Sequence, residues 1–406
     1  MKYASNPDRP EYGLTRTALR ASGRSDLLLF LLVSTIASTA GIQAWQTLIN
    51  NFAVEVAHFN ADQIGFVQSI REVPGFLSML VIYVLLVLTE QRAAALSICV
   101  LGLGLLATGF FPSFWGLTLT TLVMSAGFHY YEPLNQSLTL QNFNTLEAPV
   151  VLSRIRAVGA LANIAIGIAI YFLADVLGYT GIFAGTGLAV LGVGLWGLGK
   201  RPCPTTGAPQ KKKMYLRRRY WLYYLLTFLE GSRRQIFVVF AVYLLVKKFD
   251  YSIQSISVLF VINNAINYFL NPVIGRAINR FGERQLLTVD YACLIAVFWT
   301  YAVTDSHIVA GVMFVLDYLM FNFSVAVRTY YQKISAPEDM ASGMAMGFTI
   351  NHIAAIVVPV AGGMLWMVDY KIPFFCGVGM SIGSLALTQM IRTPRQTAGR
   401  PNAATS

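Results

Sequence analysis

Apolar residues along this chain gather in long runs instead of alternating or forming stripes. About twelve runs follow one another, each close to the ~20 residues a helix needs to cross a bilayer core. They are predicted at residues 27–51, 63–88, 93–111, 115–141, 154–174, 181–198, 220–246, 254–275, 285–304, 308–332, 341–367 and 374–391. A run that is apolar on every side predicts a helix solvated by lipid. Lipid offers no hydrogen bonds, so each run must satisfy its own backbone groups and is predicted to be helical. The predicted fold class is an all-α integral membrane protein with twelve transmembrane helices, whose main partner is the lipid bilayer.

Composition agrees, since 56% hydrophobic and 12% charged residues are too apolar for an aqueous fold of 406 residues. A formal charge of +11 at pH 7 would suit a nucleic-acid-binding protein, but the charges follow the membrane. On the predicted map 24 of the 30 Lys and Arg share one side, spread over the N-terminal tail, the breaks near Arg92, Arg154, Arg284 and Lys333, the central linker and the C-terminal tail. The other side carries Lys247, Lys248 and Lys371. The positive-inside rule then places both termini in the cytoplasm, here that of a bacterial inner membrane, with no nucleic-acid partner. The apolar run from Leu27 through Trp45 outlasts a signal-peptide core and a second span follows, so the first helix is predicted to be retained. Cys99, Cys203, Cys293 and Cys376 lack metal-ligand spacing, and three of them sit in apolar spans, so they read as packing residues.

Five regions follow: a tail over 1–24, a six-helix bundle over 25–198, a basic linker rich in Pro and Gly over 199–219, a second bundle over 220–391 and a tail over 392–406. The linker's basic clusters fix topology or bind anionic headgroups. The two bundles repeat one another. A shift of 192 residues lays Gln91-Arg92 over Glu283-Arg284, Ile64 over Ile256, and Arg71-Glu72 over Asn263-Asn264. Gly159-x-x-x-Asn163 in the fifth span recurs as Gly347-x-x-x-Asn351 in the eleventh. Parallel repeats of this kind are a construction rule of transporters.

Asn271-Pro272-x-x-Gly275-Arg276-x-x-x-Arg280-x-Gly282-Glu283-Arg284 at the cytoplasmic end of the eighth span, with Pro359-x-x-Gly362-Gly363 in the eleventh, resembles the major facilitator superfamily. The resemblance implies two six-helix bundles with pseudo-twofold symmetry, and a central cavity lined by the first, fourth, seventh and tenth spans. It also implies a cytoplasmic gating latch, read here as Gly275, Arg276, Arg280, Glu283, Arg284 and Asp290, with Glu90 opposite. The first-half loop, Thr89-Glu90-Gln91-Arg92, lacks the family's usual glycine and aspartate. The fourth span lacks the embedded arginine of drug/proton antiporters and the fifth lacks their Gly-Pro signature, which disfavours a multidrug exporter.

Charges inside the hydrocarbon cost roughly 2.5 to 3.5 kcal/mol each on insertion scales, so they need partners or a wet cavity. Arg71 and Glu72 lie in the second span, Glu132 in the fourth, Glu230, Arg233 and Arg234 in the seventh and Asp317 in the tenth. Helical spacing lets Glu230 reach Arg233 or Arg234 on its own helix. Arg71 and Glu72 are consecutive, point about 100° apart and are each expected to need a partner elsewhere. Stripes of amides accompany them: Gln43, Gln46 and Asn50 on the first span, Asn263, Asn267 and Asn271 on the eighth, with Asn322 and Asn351 on the tenth and eleventh. Such amides either line a pathway or join helices. His129-Tyr130-Tyr131-Glu132 precedes Pro133 in the fourth span, and His352 follows Asn351. The glycine-rich sixth span reads as close helix packing, since no strand precedes it.

The predicted function is secondary active transport by alternating access, with no enzymatic activity and no cofactor. No phosphate-cradling loop is present, so an ion gradient is the energy source. The proton is the predicted ion and sodium the alternative. Glu72, Glu132, Glu230, Asp317, His129 and His352 are the predicted proton-coupling groups. Arg71, Arg233 and Arg234 supply forked donors for a carboxylate or phosphate. Gln43, Gln46, Tyr130, Tyr131, Asn263, Asn267, Asn322 and Asn351 complete the predicted substrate site. The cargo is a small or medium organic anion or zwitterion such as a metabolite, peptide or siderophore-like compound, and the carrier is a monomer. A cation or drug efflux antiporter, a transporter-like ligand sensor and a membrane enzyme are the alternatives. His58, His129, His307 and His352 lack metal-site spacing, and no nucleophile-base pair supports the enzyme.

Overall fold

The computed structural model describes residues 24–143, 147–200, 216–336 and 339–392, and all regular structure among them is helical. The predicted tails and most of the linker, with Cys203, lie outside the described residues. Twelve segments follow. The first is α1 (Arg24–Glu55), and α2 consists of Ala61–Phe76 and, past a 3-10 turn at Ser78–Leu80, Val81–Val84. Next come α3 (Glu90–Thr108) and α4 (Phe114–Asn142). The arms of one long run, Glu147–Leu198, form α5 and α6, divided at Gly178, whose φ of 61° suits glycine.

In the second half, α7 runs through Trp221–Gln235, a π-helical turn at Ile236–Ala241 and Val242–Lys247. It is followed by α8 (Ile253–Phe281) and α9 (Glu283–Val303). A 3-10 turn at Asn322–Ser324 joins His307–Phe321 to Val325–Ile334 in α10. The last two are α11 (Met340–Val368) and α12 (Lys371–Thr388).

Seven described helices are long and apolar enough to cross a bilayer, and the α5–α6 run is one of them. The segments that fall short are α2, α4, α7 and α8. The shortfall has a physical cause in two of them: α2 carries Arg71 and Glu72 and breaks after Phe76, and α7 carries Glu230, Arg233 and Arg234 ahead of its π turn. Side-chain oxygens of Ser113, Ser252 and Ser306 accept from the first-turn N–H groups of α4, α8 and α10, so these helices restart at capped turns.

Within the first half α3 packs on α4 and on the α5–α6 run, which also holds α1. In the second, α9 packs on α12 and α11 on α7. Gly187 and Gly194 of α6 lie directly on the α3 backbone at Leu106 and Cys99. The two most extensive interfaces between the halves are α2 against α11, and α8 against the α5–α6 run. A shift of six spans exchanges these pairings.

The exchange holds at the level of single bonds. His58 and Asp250, 192 residues apart, are the described non-glycine residues with positive φ, at 54° and 53°. They sit in the turns before α2 and α8, where Phe59 N–H donates to Ala53 O and Tyr251 N–H to Leu245 O. Across the halves, Asn51 Nδ2 donates to Tyr251 O at 2.8 Å, and Tyr243, its counterpart at the same offset, donates to Phe59 O at 3.4 Å. Gly65 meets the Pro359 carbonyl, and their counterparts also face one another, Gly167 lying toward the Ser257 carbonyl. These bonds close the end away from Arg24 and Arg392. Gln254 Nε2, donating to Asp175 at 2.7 Å, closes the same end.

Candidate functional site

Arg234 is exposed although both sequence neighbours are buried, and it stands midway along α7. Consecutive helical residues point about 100° apart, so Arg233 lines one buried cavity while Arg234 also reaches two others. Arg234 forms no ion pair among the described residues and holds its guanidinium 4.9 Å above the Phe321 ring. It borders three adjoining cavities.

The largest cavity, about 460 Å³, runs from mid-depth toward the end where the described chain begins and finishes. Gln46, Arg71, Glu72, His129 and Glu132 line it from the first half, and Tyr223, Glu230, Arg234, Arg328, Asn351 and His352 from the second. Glu72 is its cross-half joint. Arg71 Nη2 donates to Glu72 Oε1 at 2.6 Å, and His352 Nδ1 lies 3.3 Å from Glu72 Oε2. The His129 and His352 rings are 5.4 Å apart and nearly perpendicular.

The expectation that Arg71 and Glu72 would each need a partner elsewhere holds for Glu72, which reaches His352 of α11, and is corrected for Arg71, which pairs with Glu72 itself. The long arginine side chain folds back over the intervening angle, with the Trp45 ring 5.5 Å behind its guanidinium. Gly75 permits the crowding, because a Cβ there would strike the His352 and His129 rings.

On the far side of α7 a small cavity of about 30 Å³ is bounded by Glu230, Arg233, Asp290, Tyr291 and Asp317. That is room for a water or two. Arg233 is 3% exposed, its guanidinium stacks 4.2 Å over Tyr291, and its Nε and Nη1 have no hydrogen-bond partner. Asp290 Oδ1, Asp317 Oδ2 and the Tyr291 hydroxyl are equally buried and unpartnered. Three carboxyls therefore converge on the buried Arg233, with Arg234 at the edge of the same cavity. The spacing argument that Glu230 would grip an arginine on its own helix is corrected: no such ion pair forms among the described residues, because α10 and α9 bring Asp317 and Asp290 to Arg233. Arg233, expected beside the substrate, lies in this enclosed cluster and not in the large cavity.

Other expected residues are placed as follows. Gln46, Asn351 and Glu132 line the large cavity. Gln43 is buried and donates to Thr47 within α1. Tyr131 shares a hydrogen bond with Thr35 at 3.1 Å and fastens α4 to α1. Tyr130 is half-buried outside the cavity lining, and Asn322 donates to the Tyr318 and Leu319 carbonyls of its own helix. Asn263 is buried without a partner, and its neighbour Asn264 accepts from Asn163 of α5 at 3.2 Å. The side chains of Asn267 and Asn271 and the surroundings of Gly275 lie outside the described residues.

Among the expected latch residues, Glu283 pairs with Lys333 at 2.7 Å, Arg284 donates to Gln389, and Glu90 accepts from Ser137 and Gln141. Arg276 and Arg280 are exposed. Asp290 is not a member, since two helical turns separate it from Glu283 and it faces Arg233. Two features were missed. Arg328, which the sequence reading did not single out, lines the large cavity, and its position inside the predicted span 308–332 was the available signal. Asp339 receives Arg217 at 2.8 Å, Arg219 at 2.5 Å and Tyr220 at 2.9 Å, tying the linker's end to the α10–α11 turn.

Comparison with known proteins bears on this architecture. Residues 27–359 match the Major Facilitator Superfamily. A stretch of 119 residues is 32% identical to Multidrug resistance protein 1 of Bacillus subtilis (strain 168), spanning 28% of this chain and 29% of that protein. The fold is similar to the crystal structure of the nucleoside transporter NupG, with a TM-score of 0.75 and 16% identity over 90% of this chain and 98% of that one. It is also similar to a bacterial homologue of the iron transporter ferroportin in an inward-facing state, at TM-score 0.69 and 15% identity over 90% and 98% of the two chains. A bacterial homologue of the lysosomal transporter Spinster gives a TM-score of 0.67 and 13% identity over 91% and 95%. Multi-pass membrane architecture, cavity between two halves and sequence match converge: the chain belongs to the Major Facilitator Superfamily and is a secondary-active transporter, not an enzyme.

Proposed function

We propose that this transporter moves a small or medium organic anion or zwitterion by alternating access, driven by protons, with both termini in the cytoplasm and the large cavity open to that side. The observation that carries the reading is Arg234, an exposed guanidinium without an ion pair, at mid-membrane, where the cavities meet. A charge left unpaired at that depth is costly unless water or a counter-ion reaches it, and a carboxylate or phosphate is the natural counter-ion for a guanidinium fork. Arg71, whose Nη1 has no partner, faces it from the first half.

Proton coupling rests on two groups of residues. The surplus of carboxyls around Arg233, namely Glu230, Asp290 and Asp317, is balanced when protons occupy it. The chain Glu72, His352 and His129, with Glu132 at the cavity wall, spans both halves and senses their separation. Sodium is the alternative ion.

The test uses purified protein in liposomes with an acid hit from a thermal-shift screen of metabolite acids. An imposed pH gradient is expected to drive its accumulation. Asp317→Asn is expected to keep exchange of the acid while losing gradient-driven accumulation, and loss of neither would end the coupling assignment.

A second reading, efflux of lipophilic cations, is favoured by the local similarity to Multidrug resistance protein 1 and by exposed Glu132 in the cavity. It requires tetraphenylphosphonium efflux that survives Arg234→Ala and fails in Glu132→Gln.

A further inference from the structure

Beyond Arg71 and Arg234, toward the closed end, lies a second chamber of about 120 Å³. Its walls differ in kind. The first half contributes the carboxamides of Gln46, Asn50 and Gln68, whereas the second contributes rings and aliphatic groups, including Phe237, Phe260, Phe314 and Tyr318. The Asn50 and Gln68 side chains are 2% and 3% exposed, and Asn50 Oδ1 and Gln68 Oε1 have no hydrogen-bond partner. Buried amide oxygens left unmatched cost about 1–3 kcal/mol each, so they are kept for a partner that arrives later.

The helix that builds the opposite wall is itself distorted. Directly after Arg234, α7 widens into its π turn, and Phe237 and Val238 of that turn face the chamber. Such widenings are uncommon and cluster at functional sites. The chamber thus presents a polar side that reads the edge of a ring and an aromatic side that covers its face. Two guanidiniums stand at the mouth it shares with the large cavity. A water takes roughly 10–15 Å³ of such space, so the chamber holds the equivalent of about ten waters, the size of one substituted ring and too little for a fused polycycle with long tails.

We infer that this chamber is a subsite for a single planar heteroaromatic ring bearing hydrogen-bonding edge groups, on a substrate whose attached carboxylate or phosphate sits between Arg71 and Arg234. The inference rests on the anion reading above and adds the ring to it. Gln68 and Asn50 exchange donor and acceptor contacts with the ring edge, Phe237 and Phe314 cover its faces, and the guanidinium pair fixes which end enters first. An aliphatic acid fills the mouth and leaves the amides unmatched.

Four probes separate the parts in a calorimetric binding experiment on the purified full-length protein: orotate (ring edge plus carboxylate), benzoate (ring plus carboxylate), uracil (ring edge alone) and succinate (carboxylates alone). Orotate is expected to bind about tenfold tighter than benzoate, the equivalent of one well-made buried hydrogen bond. In Gln68→Leu and Asn50→Leu its affinity is expected to fall to that of benzoate, whose own affinity stays unchanged. The ligand-free unfolding midpoint identifies any variant that has failed to fold, and Gln68→Met serves as its replacement.

Succinate binding as tightly as orotate overturns the ring subsite and leaves the anion site standing. Uracil binding with orotate excluded overturns the anion reading instead. Equal orotate affinity in wild type and both leucine variants, or no heat from any of the four probes at millimolar concentration, overturns the proposal.

Discussion

Adjacent residues in α7 give opposite expectations. Arg234→Ala removes a guanidinium that forms no ion pair among the described residues and only stacks on Phe321, so stability is expected to hold while affinity for an organic anion falls. A charge-assisted hydrogen bond is worth about 1.5–3 kcal/mol, so its removal corresponds to roughly ten- to 150-fold weaker binding by calorimetry. Arg233→Ala instead strands Glu230, Asp290 and Asp317 without their cation. Removing one partner of a buried charge cluster costs about 3–5 kcal/mol, expected as a large drop in the detergent-solubilised unfolding midpoint and poor recovery. Equal effects of the two substitutions would show that they share one environment. At the closed end, the hydrogen bond and the charge of Lys248 hold the Asp305 carboxyl below its ordinary value of 3.8. A depressed carboxyl contributes its stability above its unfolded pKa and loses it as pH falls through the folded one. Asp305→Asn is therefore expected to leave stability less dependent on pH below about 4 in acid titration of the unfolding midpoint.

Among the elements, α2 and α11 meet through missing side chains. A Cβ on Gly65 would overlap the Pro359 carbonyl, and one on Gly363 the Ala61 carbonyl, so the two backbones touch where the halves meet. Gly65→Val is expected to abolish transport, measured as uptake in liposomes, while the same change at Gly192, which faces open space, leaves it intact. Helix positions were legible in the sequence because apolar runs are set by bilayer thickness. So was the gathering of embedded carboxyls on α2, α4, α7 and α10, which the structure places on cavity walls. The direction of each charge was not legible. Arg233 and Arg234 differ by one position in a row, and only the packing of α9 and α10 behind α7 decides which is enclosed. Asp290 was misread for the same reason: distance along the chain from the basic loop hid that it turns inward. The π turn left no mark in Ile236–Ala241, since an inserted residue changes backbone hydrogen bonds and not composition.

Among the described residues, the segments before and after the linker meet at the end away from Arg24 and Arg392. If closure there alternates with opening, a short bismaleimide joining cysteines placed at Asp175 and Gln254, in a background lacking Cys99, Cys203, Cys293 and Cys376, is expected to stop uptake while leaving binding from the other side. Continued uptake by the linked protein would mean that this end never needs to part. The reciprocal bonds from Asn51 to Tyr251 and from Tyr243 to Phe59 give this seam an unusual property. Each half contributes one donor and one carbonyl, so neither half carries the fastening alone. A door fastened this way is latched from both leaves, and each leaf must give up a donor before it parts.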